Sequence, residues 1–237
     1  MKPSVTFKTL SFAARCAVVL FGFAGFGALA WAVRHEAGAL LSFRLIVLLL
    51  FATVAARAKA KMYRGTTISF LTAIVLFAVI RDGAAVSIII AMWGVTVQTL
   101  FPFRKLIIHR LVFNSGMIAL TAGASSWAYH SLATGNQSLQ LIPSGILATI
   151  LTAFVYFAGN SISISLIVAV TQRVSVFDVW IKHFMYSAQS FLIAGLVAFL
   201  FVVLASTSLG FAPVTVSLLI VYAYYCSVRH AARQSVA

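Results

Sequence analysis

The sequence predicts an all-α polytopic integral membrane protein with about eight transmembrane helices and both termini in the cytoplasm. Three observations support this fold class. Of the 237 residues, 62% are hydrophobic and only 8% are charged, the apolar residues form long stretches, and the few cations gather in short segments between them. A soluble domain of this composition would have too little polar surface to cover its core. We therefore expect a single transmembrane helical domain over residues 1–237.

Each apolar stretch is close to the ~20 residues that a helix needs to cross a hydrocarbon core of ~30 Å. The first stretch is longer than the apolar region of a signal peptide and is predicted to be a retained span. Arg81-Asp82-Gly83 leaves room only for a tight turn, so the third and fourth spans should form a helical hairpin. The predicted spans are about 12–33, 39–56, 66–80, 84–101, 111–131, 141–170, 185–206 and 212–228.

The sixth span is unusual because its apolar character runs from Leu141 to Val170, with Gly159-Asn160 in the middle. Two interpretations stay open: one strongly tilted and kinked helix, or a second half that is re-entrant or interfacial. Residues 177–184, which include Trp180, are predicted to form an amphipathic turn at the membrane interface.

The positions of the cations predict the orientation, because Lys+Arg number 17 against three Asp+Glu. With the N-terminus inside, nearly all of them fall in inner segments, whereas the outer segments keep Arg34 and Arg81, and Arg44 begins the second span. The positive-inside rule therefore places both termini in the cytoplasm, with the protein in the bacterial inner membrane. The inner cations are Lys2, Lys8, Arg15, Arg57, Lys59, Lys61, Arg64, Arg104, Lys105, Arg110, Arg173, Lys182, Arg229 and Arg233.

The inner segment with Arg57, Lys59, Lys61 and Arg64 is the densest of these basic groups. It is a candidate contact for anionic lipid headgroups or for a protein partner. The positive-inside rule alone also accounts for it. Nucleic acid is not expected as a partner, because the cations are spread between apolar stretches rather than gathered on a polar domain.

Polar side chains inside the spans are the candidate ligand-binding residues, since no charged residue is expected at mid-membrane. They are Gln98, Asn114, Asn160 and Ser161. One interpretation is a polar pocket lined by Asn114 and Asn160 at a kink of the sixth span, where freed backbone groups also bind. The other is hydrogen bonding between neighbouring helices, worth about 0.6–2 kcal/mol per group.

Small residues on the first and fifth spans predict close helix packing, and the same surface suits a dimer. They are Gly22, Gly25, Gly27, Gly116, Ala119 and Gly123.

Catalytic chemistry is not expected. The five histidines are scattered, the three acids are far apart, and Cys16 and Cys226 lie near the predicted inner ends of the first and last spans. General acid–base catalysis and metal binding need such groups in close sets. The sequence thus predicts a non-enzyme without a metal or cofactor.

Several short motifs follow one another along residues 60–205: Arg64–Ser69, Asp82–Ala85, His109–Asn114, Asn160-Ser161, Gln172-Arg173 and Val176–Trp180. In this order they resemble the polytopic membrane sensor regions found ahead of HD-GYP, HDIG or GGDEF output domains in bacterial signalling proteins. The resemblance implies a membrane input module that controls cyclic-di-GMP turnover. The metal-binding His-Asp pair and the GGDEF-type loop are missing from this sequence. We therefore expect a stand-alone relative, a truncated input domain or an accessory subunit.

The main functional hypothesis is a non-catalytic sensory or interaction module that acts on a protein partner or on a second copy of the chain. A small-molecule carrier or substrate-binding subunit is the alternative, because an interrupted sixth span with its amides would be typical of transporter sites. A structural subunit of a membrane complex is the third.

Overall fold

The structure is a computed structural model that describes residues 7, 10–57, 59–61, 67–100, 107–133 and 142–206. This part of the chain is mainly α-helical, with one short pair of strands. The elements are α1 (Phe12–His35), α2 (Ala37–Leu40), α3 (Phe43–Arg57), β1 (Lys59–Lys61), β2 (Thr67–Ser69), α4 (Phe70–Arg81), α5 (Ala84–Leu100), α6 (Ile108–Ala133), α7 (Ile142–Gln172), α8 (Val176–His183), a 3-10 turn (Met185–Ser187) and α9 (Ala188–Ala205).

Three segments are long and apolar enough to cross a membrane: Phe12–His35, Gly145–Gln172 and Met185–Ala205. Phe70–Arg81 and Ala84–Leu100 are shorter apolar helices. Each of the first seven predicted spans contains a helix of at least 12 residues. The eighth predicted span, 212–228, and Cys226 within it lie outside the described residues.

The long helices alternate in direction, so the bundle has two ends. We call the end that contains Glu36, the α4–α5 turn and His130 the Asp82 end. The opposite end, with Arg57 and the start of α6, is the Arg110 end. The directions follow from pairs of contacts. Gly22 and Gly25 of α1 meet Val112 and Gly116 of the parallel α6, whereas Gly145 and Ala153 of α7 meet Phe199 and Gly195 of the antiparallel α9.

The centre of the bundle is the predicted α4–α5 hairpin. Every residue from Ala73 to Ile80 of α4 is buried, and α4 packs against α3, α5, α6 and α9. A helix that is apolar on all sides is typical of an element enclosed by others. At 12 residues, α4 is only about 18 Å long.

Helices α1 and α6 make the closest helix contact that the glycines reveal. A methyl group on Gly25 would overlap the Gly116 backbone, and one on Gly116 would overlap the backbone of Phe21. The expected small-residue packing is therefore present at Gly22, Gly25 and Gly116. Gly27 instead has open space beside it.

The sixth predicted span is a single uninterrupted α-helix, α7, of 31 residues. The helix continues through Gly159-Asn160, so the interpretation of an interruption there with freed backbone groups is wrong. Gly159 allows a close approach instead, because a methyl group there would lie 2.9 Å from Thr121 Oγ1. At about 46 Å the helix is longer than a hydrocarbon core, so it must tilt or extend into the headgroup region.

The chain reverses after α7 at Arg173, whose φ of 57° lies in the left-handed region. The Val174 amide donates to the Ala169 carbonyl oxygen at 3.1 Å, which is the helix ending known as a Schellman motif. Helix α8 then folds back against α7. Its Ser175 hydroxyl caps the first turn by accepting from the Asp178 amide. The predicted turn over 177–184 is thus a short helix, and its Trp180 points to α7.

Two boundaries differ from the predictions. The second span, expected from residue 39, is split into α2 and α3, because Ser42 caps the first turn of α3 through its hydroxyl oxygen and the Leu45 amide at 3.4 Å. The third span, expected from residue 66, begins only at Phe70 because Thr67–Ser69 pairs as β2 with β1. Thr67 and Ile68 are β-branched residues that favour extended backbone.

Candidate functional site

The Asp82 end holds a cluster of charged groups around the α4–α5 turn. The Asp82 and Gly83 amides both donate to the Ala78 carbonyl, at 2.8 and 3.1 Å, and Gly83 has a φ of 89° that favours glycine. Arg44 Nη1 of α3 donates to Asp82 Oδ1 at 2.7 Å. The Asp82 carboxylate is 8% exposed and the Arg44 side chain is 38% exposed, so this pair is partly shielded from water.

Glu36 joins α1 to the start of α5. Its Oε2 atom accepts a hydrogen bond from the Ala85 amide at 2.8 Å. Amides in the first turn of a helix have no partner within the helix, and the helix dipole favours a negative charge there. Glu36 therefore links the end of the first helix to the central hairpin across 49 residues of sequence.

Beside Glu36 lies a groove of about 650 Å³ between α1, α5 and α6. Small side chains make room for it, and polar or aromatic groups surround its mouth. A volume of this size fits a small organic molecule. Its lining residues are Ala28, Trp31, Ala32, Glu36, Ala84, Ile88, Leu120, Gly123, Ala124, Ser126, Trp127, His130 and Ser131.

None of the predicted ligand-binding residues lines this groove. Its polar side chains were not singled out by the sequence, because they are far apart along the chain and share no motif. They are Glu36, Ser126, His130 and Ser131. The order of the spans is the sequence feature that could have found this site. With alternating spans, one side of the bundle holds the end of the first span, the turn between the third and fourth, and the end of the fifth.

The structure does not place Asn114 and Asn160 at one level. Gly159 packs against Thr121 in antiparallel helices, so Asn160 lies about 10 Å along the axis from Asn114. Gln98 comes closer to the level of Asn114, because Ile88 packs near Gly123. Among the described residues, no side-chain hydrogen bond joins Gln98, Asn114 or Asn160 to another residue. Their role as ligand contacts stays a prediction.

Ser161 is engaged within the protein. Its side chain is buried, at 1% exposure, and its hydroxyl oxygen accepts a hydrogen bond from Trp180 Nε1 at 2.8 Å. The Trp180 ring also packs on Phe157, with ring centroids 6.1 Å apart. This geometry is that of an interhelical hydrogen bond, which joins α8 to α7.

The predicted basic segment begins at the Arg110 end. Arg57 is the exposed last residue of α3. Lys59 and Lys61 lie on β1, whose partners in β2 are Ser69 and Thr67. The fourth cation, Arg64, lies outside the described residues. The strand pairing joins this inner segment to β2, which directly precedes α4.

Within the described ranges, no three side chains of the types that ligate metals (His, Cys, Asp or Glu) form a cluster. Comparison of the chain with protein-family models, with curated proteins and with solved structures found no match.

Proposed function

We propose that this chain is a non-catalytic sensory module of the bacterial inner membrane, which receives a small molecule in the Asp82-end groove and passes the change to a cytoplasmic protein partner. In this proposal the chain crosses the membrane eight times with both termini inside. The Asp82 end then faces outward and the basic segment faces the cytoplasm. The inner cations outnumber the outer ones, which supports this orientation.

The observation that carries the proposal is the double role of Glu36. It lines the groove and it also bonds the first turn of α5. A molecule that attracts this carboxylate would change its bond to Ala85, and hence the position of α5. Because α5 forms a hairpin with the enclosed α4, both central helices would respond together.

The path from the hairpin to the opposite end is short. β2 leads directly into α4 and pairs with β1, which carries Lys59 and Lys61. A shift of α4 along its axis would therefore move the basic segment that is proposed to contact the partner. A ligand shifts the hairpin from one position to another only if its affinity differs between the two positions. The contact of the ligand with Glu36 therefore has to differ between these two positions.

The carrier hypothesis was based on an interrupted sixth span and on the amides in the bundle. Helix α7 continues through Gly159-Asn160 without a break, so only the amides still support this alternative. The structural-subunit hypothesis predicts a partner contact that is independent of the groove, and the experiment below separates it from a sensor.

The test is site-specific photo-crosslinking in cells. A photoreactive amino acid replaces Lys61, and adducts are identified by mass spectrometry. We expect one recurrent protein adduct whose yield changes when Glu36→Ala removes the bond to Ala85. A crosslinker at Asn136, in the predicted outer segment between α6 and α7, is the control and should not capture that protein. Lipid adducts alone would reject the partner, and a yield insensitive to Glu36→Ala would indicate a structural subunit.

A further inference from the structure

The chemistry of the groove identifies a class of ligand. Its lining is mostly apolar, and the lining residues include alanines, a glycine, an isoleucine and a leucine. Glu36 is the carboxylate in this lining. The ion pair found among the described residues joins Arg44 to Asp82 and does not include Glu36. The groove therefore presents the Glu36 carboxylate, together with the His130 imidazole, beside apolar walls.

The Glu36 carboxylate keeps capacity for a ligand. An ionised carboxylate has about four acceptor positions, and Oε2 uses one of them for the Ala85 amide. A cation bound here would gain Coulomb attraction in surroundings where apolar side chains reduce the dielectric screening.

Two indole rings border the same groove, one from α1 and one from α6. Trp31 of α1 is 62% exposed, although its ring packs on His35 with ring centroids 4.5 Å apart, and Trp127 of α6 is 75% exposed, so each ring keeps exposed surface. The face of an indole attracts cations, by about 0.5–2 kcal/mol depending on exposure. Tryptophans alone would be explained by the aromatic belt at a membrane interface, but a belt does not account for a carboxylate in the same groove.

We propose that the groove binds a small organic cation, of the quaternary or primary ammonium class, with Glu36 as its counter-charge and Trp31 and Trp127 as aromatic walls. This inference rests on the proposed function for the groove as the input site. A metal ion fits the groove less well, because its walls offer few oxygen ligands.

The test compares three probes of the same shape and different charge, using the full chain in a non-ionic detergent. They are choline, its uncharged carbon isostere 3,3-dimethylbutan-1-ol, and the anion 3,3-dimethylbutanoate. Binding is followed by tryptophan fluorescence and calorimetry. We expect saturable choline binding at least about tenfold tighter than that of the alcohol, and weaker binding still of the anion. Equal binding of all three probes, or no choline binding, would overturn the proposal.

Variants assign the site. Glu36→Gln keeps an oxygen acceptor for Ala85 and removes the charge, so the preference for choline over the alcohol should disappear while the melting temperature is kept. Trp127→Phe should weaken choline binding about fivefold. Trp93→Phe is the matched control, because Trp93 bonds Thr53 on α3 away from the groove, and its Kd should be unchanged. An unchanged Kd in Glu36→Gln would refute the site.

The two proposals fail separately. A groove that rejects choline while the crosslinking yield at Lys61 still responds to Glu36→Ala removes only the ligand class. Choline binding without any protein adduct removes the partner and keeps the cation site.

Discussion

At the scale of single residues, the structure separates side chains that the sequence treats alike. Ser161 and Asn160 are neighbours, and both were candidate ligand contacts. Ser161 is buried and bonded to Trp180, whereas Asn160 is half-buried. The sequence identifies polar residues in a membrane helix, but it cannot tell which of them a neighbouring helix will satisfy, because that depends on how α8 folds back.

The Trp180–Ser161 bond should contribute measurably to stability. Trp180→Phe removes the indole donor and leaves the ring in place, so we expect a loss of about 0.6–1.7 kcal/mol, the range for interhelical hydrogen bonds. The measurement is a double-mutant cycle with Ser161→Ala, using unfolding in mixed micelles. If the two losses of unfolding free energy simply add, the coupling energy is zero. The hydrogen bond would then make no contribution to stability.

Gly116 and Gly27 offer a matched test of helix packing. Gly116→Ala would force a methyl group into the Phe21 backbone, so α1 would have to move away, at a cost of about 1–3 kcal/mol. Gly27→Ala adds the same methyl group where nothing lies within 4 Å. We expect a clear fall in melting temperature for the first variant and almost none for the second. Similar effects of both would contradict the α1–α6 contact.

At the scale of elements, the sequence predicts where the long helices lie. It does not predict the continuity of α7 or the short β1–β2 pair. Long apolar stretches fixed the positions of α1, α5 and α6 to within a few residues, because the hydrophobic run and the helix have the same length. Of the two interpretations of the sixth span, the interrupted one is wrong, because a single glycine costs a helix interior only about 1 kcal/mol. The β1–β2 pairing was missed because three-residue strands leave almost no periodic pattern.

The reversal after α7 gives a test at this scale. Arg173 occupies a left-handed conformation, φ 57°, that costs most residues about 1 kcal/mol and glycine almost nothing. Arg173→Gly should therefore raise the melting temperature slightly, and Arg173→Val should lower it. Arg173→Asn serves as the control for the lost charge, since asparagine tolerates the left-handed region. If Arg173→Gly were less stable than Arg173→Asn, the left-handed backbone at this position would not be a source of instability in the folded protein.

At the scale of the whole molecule, the enclosed α4–α5 hairpin explains why several of the few charged side chains lie together at one end of the bundle. The turn of the hairpin gathers Asp82, Arg44 and Glu36 at one end, where two of the three acids of the chain meet. The sequence placed these residues on one side of the membrane through the count of spans. It did not predict their contacts. Arg44 and Asp82 are separated by 38 positions in the sequence and Glu36 and Ala85 by 49, so each pair meets only through the packing of the helices.

The orientation of the bundle is the last prediction, and it decides whether the groove faces outward. In a variant without Cys16 and Cys226, single cysteines are placed at Asn136 and at Ser235, which lie in the predicted outer segment after α6 and in the inner C-terminal segment. A membrane-impermeant maleimide applied to intact spheroplasts should label the first cysteine and spare the second, because the charge distribution puts them on opposite sides. Permeabilised cells, in which both should react, control for reactivity. Labelling of Ser235→Cys in intact spheroplasts would reverse the C-terminal side and remove the even number of crossings. Protection of Asn136→Cys would turn the Glu36 groove toward the cytoplasm, where an external cation could not reach it.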